Sequence, residues 1–301
     1  MPPLLKSAGL KPDVTIIDDE EDKEQYADEK GWDFIPVYGQ QVGIKTSVLE
    51  EKCTAYEMIC CYAQELKGAF FPYVPEVLET YTIPGLKFYF HDGVRQAAAK
   101  CLPHLVVSAK EANPNNLAVA SKIFRSAIDA LLATIDGEQD VEMTAVLYES
   151  FYETVDVAGD SCLTLEDMNK FIEVTCSQLT DYGTRKTARD ETIASGERDA
   201  EEDEEVQLEI DNDEILLSAI SKSIHTIFKR HKSDFLPIWT RMVPMVDAGM
   251  ASNEPTTRSW ALCIIDDVIE FCNGEAFPFV GHYLQAIAAS IVDECTFWHF
   301  E

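Results

Sequence analysis

Cationic side chains are scarce in this chain: 24 Lys and Arg stand against 54 Asp and Glu in 301 residues, a formal charge of −30. A surface so poor in positive charge excludes nucleic-acid binding through a uniformly basic face, because neutralising phosphates needs clustered Lys and Arg. It favours a basic partner instead. Long hydrophobic runs are lacking as well. No stretch of about 18 apolar residues occurs, and Met1 to Leu10 lacks the apolar core of a secretory leader, so neither a membrane span nor a signal peptide is expected. The nine cysteines form no CxxC pair, the six histidines form no HxH or HExxH pattern, and no Asn-x-Ser/Thr acceptor is present. The cysteines therefore read as reduced, mostly buried small hydrophobes in a soluble cytosolic or nuclear protein, and no metal site is expected.

Catalytic motifs are equally thin. There is no GxSxG elbow, and nothing singles out one cysteine as a nucleophile. The nearest approach to a phosphate loop, Gly39-Gln-Gln-Val-Gly43-Ile-Lys45-Thr46, has three residues between its glycines and an Ile before the Lys. A Walker loop needs four, with Lys directly following, so this reads as a hairpin turn entering a helix. Asp156 to Glu166 has the wrong ligand spacing for a calcium loop and reads as a connection whose Ser161 or Thr164 caps the next helix. Neither an enzyme nor a cofactor is expected.

What is present is apolar residues at 46%, enough for a core, arranged in a repeat. Phe71-Pro72, Leu236-Pro237 and Phe277-Pro278 each open an apolar stripe that continues at +3 and +7, to Val74 and Leu78, Trp239 and Val243, and Val280 and Leu284. Such a stripe with proline in the first turn is an amphipathic helix. Pro237 and Pro278 lie 41 residues apart, and Pro72 and Pro237 lie 165 apart, close to four times 41. A second series precedes these helices: Arg95 leads to Ala98, Cys101 and Leu102, Arg258 to Ala261, Ile264 and Ile265, and Lys52 to Ala55, Met58 and Ile59. The small residue three places after the basic one would let neighbouring helices approach closely. Two helices per period of about 41 residues cannot bury both faces alone and must stack. The fold expected is all-α, an α-solenoid of about five antiparallel helix pairs, near 46–86, 92–136, 139–195, 205–250 and 254–293.

Two acid-rich stretches interrupt the pattern. Residues 18–29 carry eight acids in twelve, and residues 197–214 carry eleven in eighteen; both read as solvated insertions between helices. Trp32 to Gly43 is β-like and suits a short hairpin. The tail Asp181 to Gly196 suits a helix reaching toward the second acidic stretch. Met1 to Leu10 resembles the end of a helix, and Cys295 to Glu301 stands where another helix start would be expected, so the chain reads as an internal piece of a longer solenoid.

The features left over suit an interaction surface. On the proline-led helices Glu76, Glu79, Asp129, Asp167 and Glu173 lie off the apolar stripe, and stacking would gather them into an acidic groove for Lys/Arg-rich segments. Trp239 and Tyr283 are candidate platforms for aliphatic stems, although Trp239 also lies on the packing stripe. Glu201, Glu202, Asp203, Glu204 and Glu205 form an acidic loop candidate.

The period near 40, the Asp92-Gly-Val-Arg95 helix start, the Phe/Leu-Pro helices and the acidic interruptions resemble the HEAT repeats of importin-beta-type karyopherins. The stretches Trp32 to Met58 and Phe90 to Ala98 are similar to the middle-to-C-terminal repeats of the importin beta-3 branch. The resemblance implies a nuclear import receptor that binds basic cargo proteins on an inner surface, contacts phenylalanine-glycine nucleoporins between outer helices, releases cargo to Ran-GTP, and shuttles between cytoplasm and nucleus without touching nucleic acid or membrane directly. The N-terminal repeats that usually provide the principal Ran surface are absent from this sequence. The alternative is a HEAT scaffold subunit of a cytosolic or nuclear complex without transport activity.

Overall fold

The computed structural model describes residues 1–17, 32–37, 40–196 and 199–292. Its helices pair antiparallel and stack as an α-solenoid, and the chain divides into two compact units, Met1–Ile123 and Phe124–Glu301. The acidic residues 18–29 and the ending 295–301 lie outside the described residues.

The first unit opens with helix α1 (Pro2–Ala8) and a three-stranded antiparallel sheet in which β3 (Gln40–Lys45) lies between β1 (Val14–Ile17) and β2 (Trp32–Val37). Val42 pairs with Ile16 on one side and Ile35 on the other. The sequence suggested the β2–β3 pair but not β1, whose four residues are too short to carry an alternation. From Gln40 onward the stretch weighed as a phosphate loop is strand, running directly into α2 (Thr46–Leu66).

After a reversal at Lys67, with φ of 46°, comes a segmented helix, α3 (residues 67–85). Its first turns, Lys67–Tyr73, are 3₁₀ and its middle, Val77–Thr82, is a π turn. Pro72, Pro75 and Pro84 each remove an N–H donor, so the ladder widens and tightens around them. Helix α4 (Asp92–Ala112) then packs beside α2, and α5 (Leu117–Ile135) contains the division between the units.

The second unit continues with α6 (Val141–Ala158), α7 (Leu165–Ser195), α8 (Ala200–His231), the segmented α9 (residues 232–250), α10 (Pro255–Cys272) and α11 (Phe277–Val292). Helix α8 packs against α6 on one side and α10 on the other. The caps follow sequence. Asp140 accepts the Met143 N–H, and Thr164 with Asp167 closes a capping box at the start of α7, so Thr164 rather than Ser161 is the cap.

Two corrections concern the packing stripe and the period. Of the expected stripe Val74, Leu78, Leu236 and Trp239 are buried and Phe71, Val243 and Val280 only partly so, while the buried face extends one position earlier to take in Phe70 and Val77, Phe235 and Met242, and Ala276 and Tyr283. Phe277 and Leu284 are instead exposed. The 3₁₀ turn that precedes or contains each proline advances the helix phase, rotating the face while leaving the spacing unchanged. As for the period, α3 and α9 are three pairs apart, not four. Side chains that bridge successive pairs are separated by 41 to 45 residues almost throughout, as in Ser108 to Ala63 (45), Gln178 to Ile135 (43) and His225 to Asp267 (42). Across the third and fourth pairs the separations rise to 75 for Ser223 to Tyr148 and 74 for Arg230 to Asp156. The excess, roughly thirty residues, is an insertion within one repeat.

That insertion is helical. The expectation of a solvated loop over residues 197–214 fails from Ala200 onward: α7 runs to Ser195, Gly196 ends it at φ of 70°, and α8 starts at Ala200. Asp199 accepts the N–H groups of Glu201 and Glu202, and the acidic first turn sits at the positive end of the helix dipole, where carboxylates stabilise rather than disrupt. Farther along, the buried Asp213 accepts from Arg185 at 2.7 Å and from Arg189 at 2.7 Å, clamping α8 to the tail of α7.

The second series packs as expected apart from Met58, which is exposed. Ala55 and Ile59, Ala98, Cys101 and Leu102, and Ala261, Ile264 and Ile265 are all buried. The small residues do admit close approach. A Cβ on Gly85 would stand 2.9 Å from that of Ala98, and one on Gly249 would stand 3.0 Å from that of Ala261. The basic residue three places earlier reaches back: Arg95 donates from Nε to the Leu86 carbonyl at 3.0 Å, Arg258 donates to the Ser252 carbonyl at 2.9 Å, and Lys52 donates to the carbonyls of Ala8 and Leu10. Each thereby satisfies carbonyls at or just past the end of a neighbouring helix, which have no partner within that helix.

Aromatic rings run through the second unit. Phe151 stacks on Phe171 at 4.9 Å between centroids, Phe228 meets Phe235 at 4.9 Å and Trp239 at 5.9 Å, and Trp239 meets Phe279 at 5.2 Å.

Replacing Asp213 by Ala leaves the buried Arg189 with only the more distant Glu209, at 3.9 Å, and is expected to lower the unfolding free energy by about 3 kcal/mol, read from urea denaturation. No loss would mean that the clamp contributes nothing. A second expectation concerns His231, whose Nε2 accepts the Leu163 N–H at 3.2 Å. Burial holds its pKa below the ordinary 6.5, against a partial upward pull from Asp234, Asp160 and Asp167. The unfolded chain binds this proton at higher pH than the folded one. The associated stability is therefore complete above about 6.5 and is lost as pH falls from there through the folded value. Thermal unfolding at stepped pH should show that slope, and His231→Gln should flatten it.

Candidate functional site

Carboxylates gather where one helix pair meets the next. In the second unit a cleft of about 480 Å³ opens between α5 and α7, lined by Arg125, Asp129, Asp136, Glu166, Asp167 and Lys170, among others. Asp167 is buried beneath it, accepting from the Arg125 guanidinium, from the Thr164 N–H at 2.7 Å and from the Thr164 hydroxyl at 2.7 Å. Burial pushes its carboxyl up, and these hydrogen bonds more than offset that, holding it below the usual carboxylate range. Lys170 bridges Asp136 at 2.9 Å and lies 3.9 Å from Glu173. With both cations engaged, Asp129 and Glu166 present their charge at the exposed rim.

Two further clefts repeat the pattern. One of about 440 Å³ between α6 and α8 is lined by Glu149, Asp211, Glu214 and Lys222. The other, of about 630 Å³ between α8 and α10, sets Glu214, Asp266, Asp267 and Glu270 around Trp260 and His225. His225 Nδ1 lies 2.6 Å from Asp267, which raises the His225 pKa, while burial raises that of Asp267. Each of the three described clefts holds more carboxylates than cations, so each is complementary to a basic segment.

The residues singled out from sequence divide as follows. Glu76 and Glu79 are exposed on α3 in the first unit. Asp129 and Glu173 are exposed in the second, whereas Asp167 spends its charge on Arg125 and on its helix cap. Trp239 and Tyr283 are core residues, 0% and 3% exposed, and neither presents a platform to a ligand; the one-residue rotation of the stripe explains Tyr283, and the aromatic contacts explain Trp239. Glu201, Glu202, Asp203, Glu204 and Glu205 are exposed as expected, on a helix rather than a loop. Sequence reasoning missed Asp136, Glu166, Asp266 and Glu270. It searched the proline-led helices singly, and a cleft between helices from successive pairs is set by their register, which no single-helix pattern reports. Among the described residues no three metal-ligating side chains converge, and no helix is long and apolar enough to cross a membrane.

Comparison with known proteins places these features in a family. Residues 143–252, from the first turn of α6 to just past the end of α9, match the model for importin repeat 6. Over 295 residues, 97% of the chain, the sequence is 34% identical to importin subunit beta-3 of Saccharomyces cerevisiae, and it is 23% identical over 251 residues to a probable importin-5 homolog of Dictyostelium discoideum. Among solved structures, that of Kap121p superposes with a TM-score of 0.80 at 29% identity, covering 97% of this chain and 26% of that one. Kap121p has been crystallised bound to Pho4p and bound to RanGTP. The chain spans about a quarter of the length of these relatives, 26% of the yeast protein and 23% of the Dictyostelium one. With its stacked pairs, its basic residues reaching back to helix-end carbonyls and its match across nearly its whole length, the chain belongs to the importin-beta-type karyopherins, in their importin beta-3 branch.

Proposed function

We propose that this chain forms part of a nuclear import receptor and contributes an acidic surface for Lys/Arg-rich cargo segments. The observation that carries the reading is the match over 97% of the chain to Kap121p, a protein crystallised with Pho4p and with RanGTP. The charge of −30 and the carboxylate-lined clefts support it, since both favour a basic ligand held by reversible, charge-assisted hydrogen bonds without covalent chemistry. In this reading Asp129 and Glu166 on the rim of the α5–α7 cleft, with Glu173 nearby, engage cargo, as do Glu76 and Glu79 in the first unit. Glu201, Glu202, Asp203, Glu204 and Glu205 attract basic partners by field rather than by fit. Phenylalanine-glycine nucleoporins and Ran-GTP are the remaining partners, the latter in the context of the full receptor, and the protein passes between cytoplasm and nucleus.

A fluorescent Lys/Arg-rich peptide titrated with the chain tests this by anisotropy. Binding should weaken steeply between low and physiological salt, where charges are screened over about 8 Å. The double substitution Asp129→Lys with Glu166→Lys should weaken it by at least about tenfold, the equivalent of roughly 1.4 kcal/mol. Salt-insensitive binding, or equal binding of an acidic peptide, would overturn the cargo role. Retention on immobilised phenylalanine-glycine repeats separates the transport reading from a scaffold, which has no reason to bind them.

A further inference from the structure

The first unit holds two cysteines beside basic side chains at the seam between α2 and α4. Cys60 on α2 is half-buried, and Cys101 on α4 is 2% exposed; their thiols hydrogen-bond each other across the seam between two successive helix pairs. His104, one turn beyond Cys101, also hydrogen-bonds Cys60, and the Lys100 ammonium adds positive charge. From α3, the side chain of the buried Thr82 hydrogen-bonds Cys101. The helices are held in register on both sides of this cluster. Toward their N-termini Gly93 lies so close to Cys53 that a Cβ on it would stand 2.7 Å from the sulfur, and toward their C-termini Ser108 donates to the Ala63 carbonyl at 3.5 Å.

We propose that Cys60 and Cys101 are a peroxide-responsive thiol pair that closes to a disulfide, tying α2 to α4 and fixing the spacing of two successive helix pairs. The roles follow from the surroundings. The Cys101 hydrogen bond, then His104 and Lys100, lower the Cys60 pKa, whereas donation to Cys60 and burial raise that of Cys101. The thiolate therefore sits on the accessible partner and the proton on the hidden one. Cys53, one helical stretch away, has the contrary setting: burial with Glu57 and Glu50 pushes it up to about 11, so it is not the nucleophile.

The chemistry balances with hydrogen peroxide as the oxidant. The Cys60 thiolate sulfur attacks one peroxide oxygen, an S–O bond forms and the O–O bond breaks. Hydroxide leaves and takes up the proton that Cys60 released on ionising. Cys101 sulfur then attacks Cys60 sulfur, its own proton passing to the departing sulfenic oxygen. The S–S bond forms, the S–O bond breaks and water leaves. Two thiols and one peroxide give one disulfide and two waters, the sulfurs together losing two electrons.

The experiment treats the intact chain with hydrogen peroxide and digests it without reductant for mass spectrometry. The expected product is a linked Cys60–Cys101 peptide pair, two hydrogens lighter than the separate peptides and reversed by dithiothreitol. Cys101→Ser should stop the sequence at a Cys60 sulfenic acid that dimedone traps, and Cys60→Ser should abolish the link. A measurement on the unmodified protein guards against misfolded variants. Cys61 is exposed and adjacent, so iodoacetamide at neutral pH should label Cys60 faster than Cys61 by at least about tenfold, despite the poorer access of Cys60. Labelling of Cys61 at an equal or greater rate, or peroxide linkage elsewhere and not between Cys60 and Cys101, would overturn the proposal.

Discussion

A pair of helices about forty residues long has two apolar sides and can cover one of them by itself. The other must be covered by the next pair, and the stability of every element here depends on that seam. The seam is built from a few repeated devices. A glycine on one helix admits an alanine on its neighbour, Gly85 with Ala98 in the first unit and Gly249 with Ala261 in the second, so backbones approach where larger side chains would hold them apart. A cation three residues before that alanine, Arg95 or Arg258, reaches back to carbonyls just past a helix end. Lys52 does the same for α1. One alanine position thus sets separation while one basic position satisfies backbone, and the two recur together because they sit one helical turn apart.

The same constraint explains how a chain so acidic stays folded. Carboxylates are placed where a local positive charge compensates them. At the start of α8, Glu201, Glu202 and Asp203 face the exposed N–H groups and the positive end of the dipole. At Asp167 a guanidinium and a helix cap share one carboxylate, and at Asp213 two arginines do. The surplus acids fall at the edges of the seams, where successive pairs leave clefts. An acidic surface is then a by-product of the packing plan: acids excluded from the interior collect at the rims that the stack leaves open.

Much of this was legible in the residues. The small-residue series was read correctly because Ala98 and Ala261 lie inside regular helices, where spacing translates directly into face. The proline series was read with the right spacing and a face that is only partly right: Val74, Leu78, Leu236 and Trp239 are buried, but the stripe is centred one position earlier. Each proline brings a 3₁₀ turn that shifts the phase, so Phe70 and Ala276 are buried where Phe71 and Phe277 were expected, and Tyr283 turns inward. The count of periods between Pro72 and Pro237 failed for another reason. Three steps plus an insertion of helical length mimic four steps, and only side-chain partners across the seam, 75 residues apart at Tyr148 and Ser223, distinguish them.

Composition and periodicity alone therefore determined the helical class, the need to stack and the strongly negative balance of charge, because burial demands and net charge are summed over the chain and do not depend on register. Tertiary structure decided which acids share a cleft, that the stretch from Ala200 to Glu214 is helix, and that Cys60 meets Cys101. Each of these is set by how one helix slides and turns against the next, and an ångström of slide, too small to alter any sequence pattern, decides whether two side chains touch.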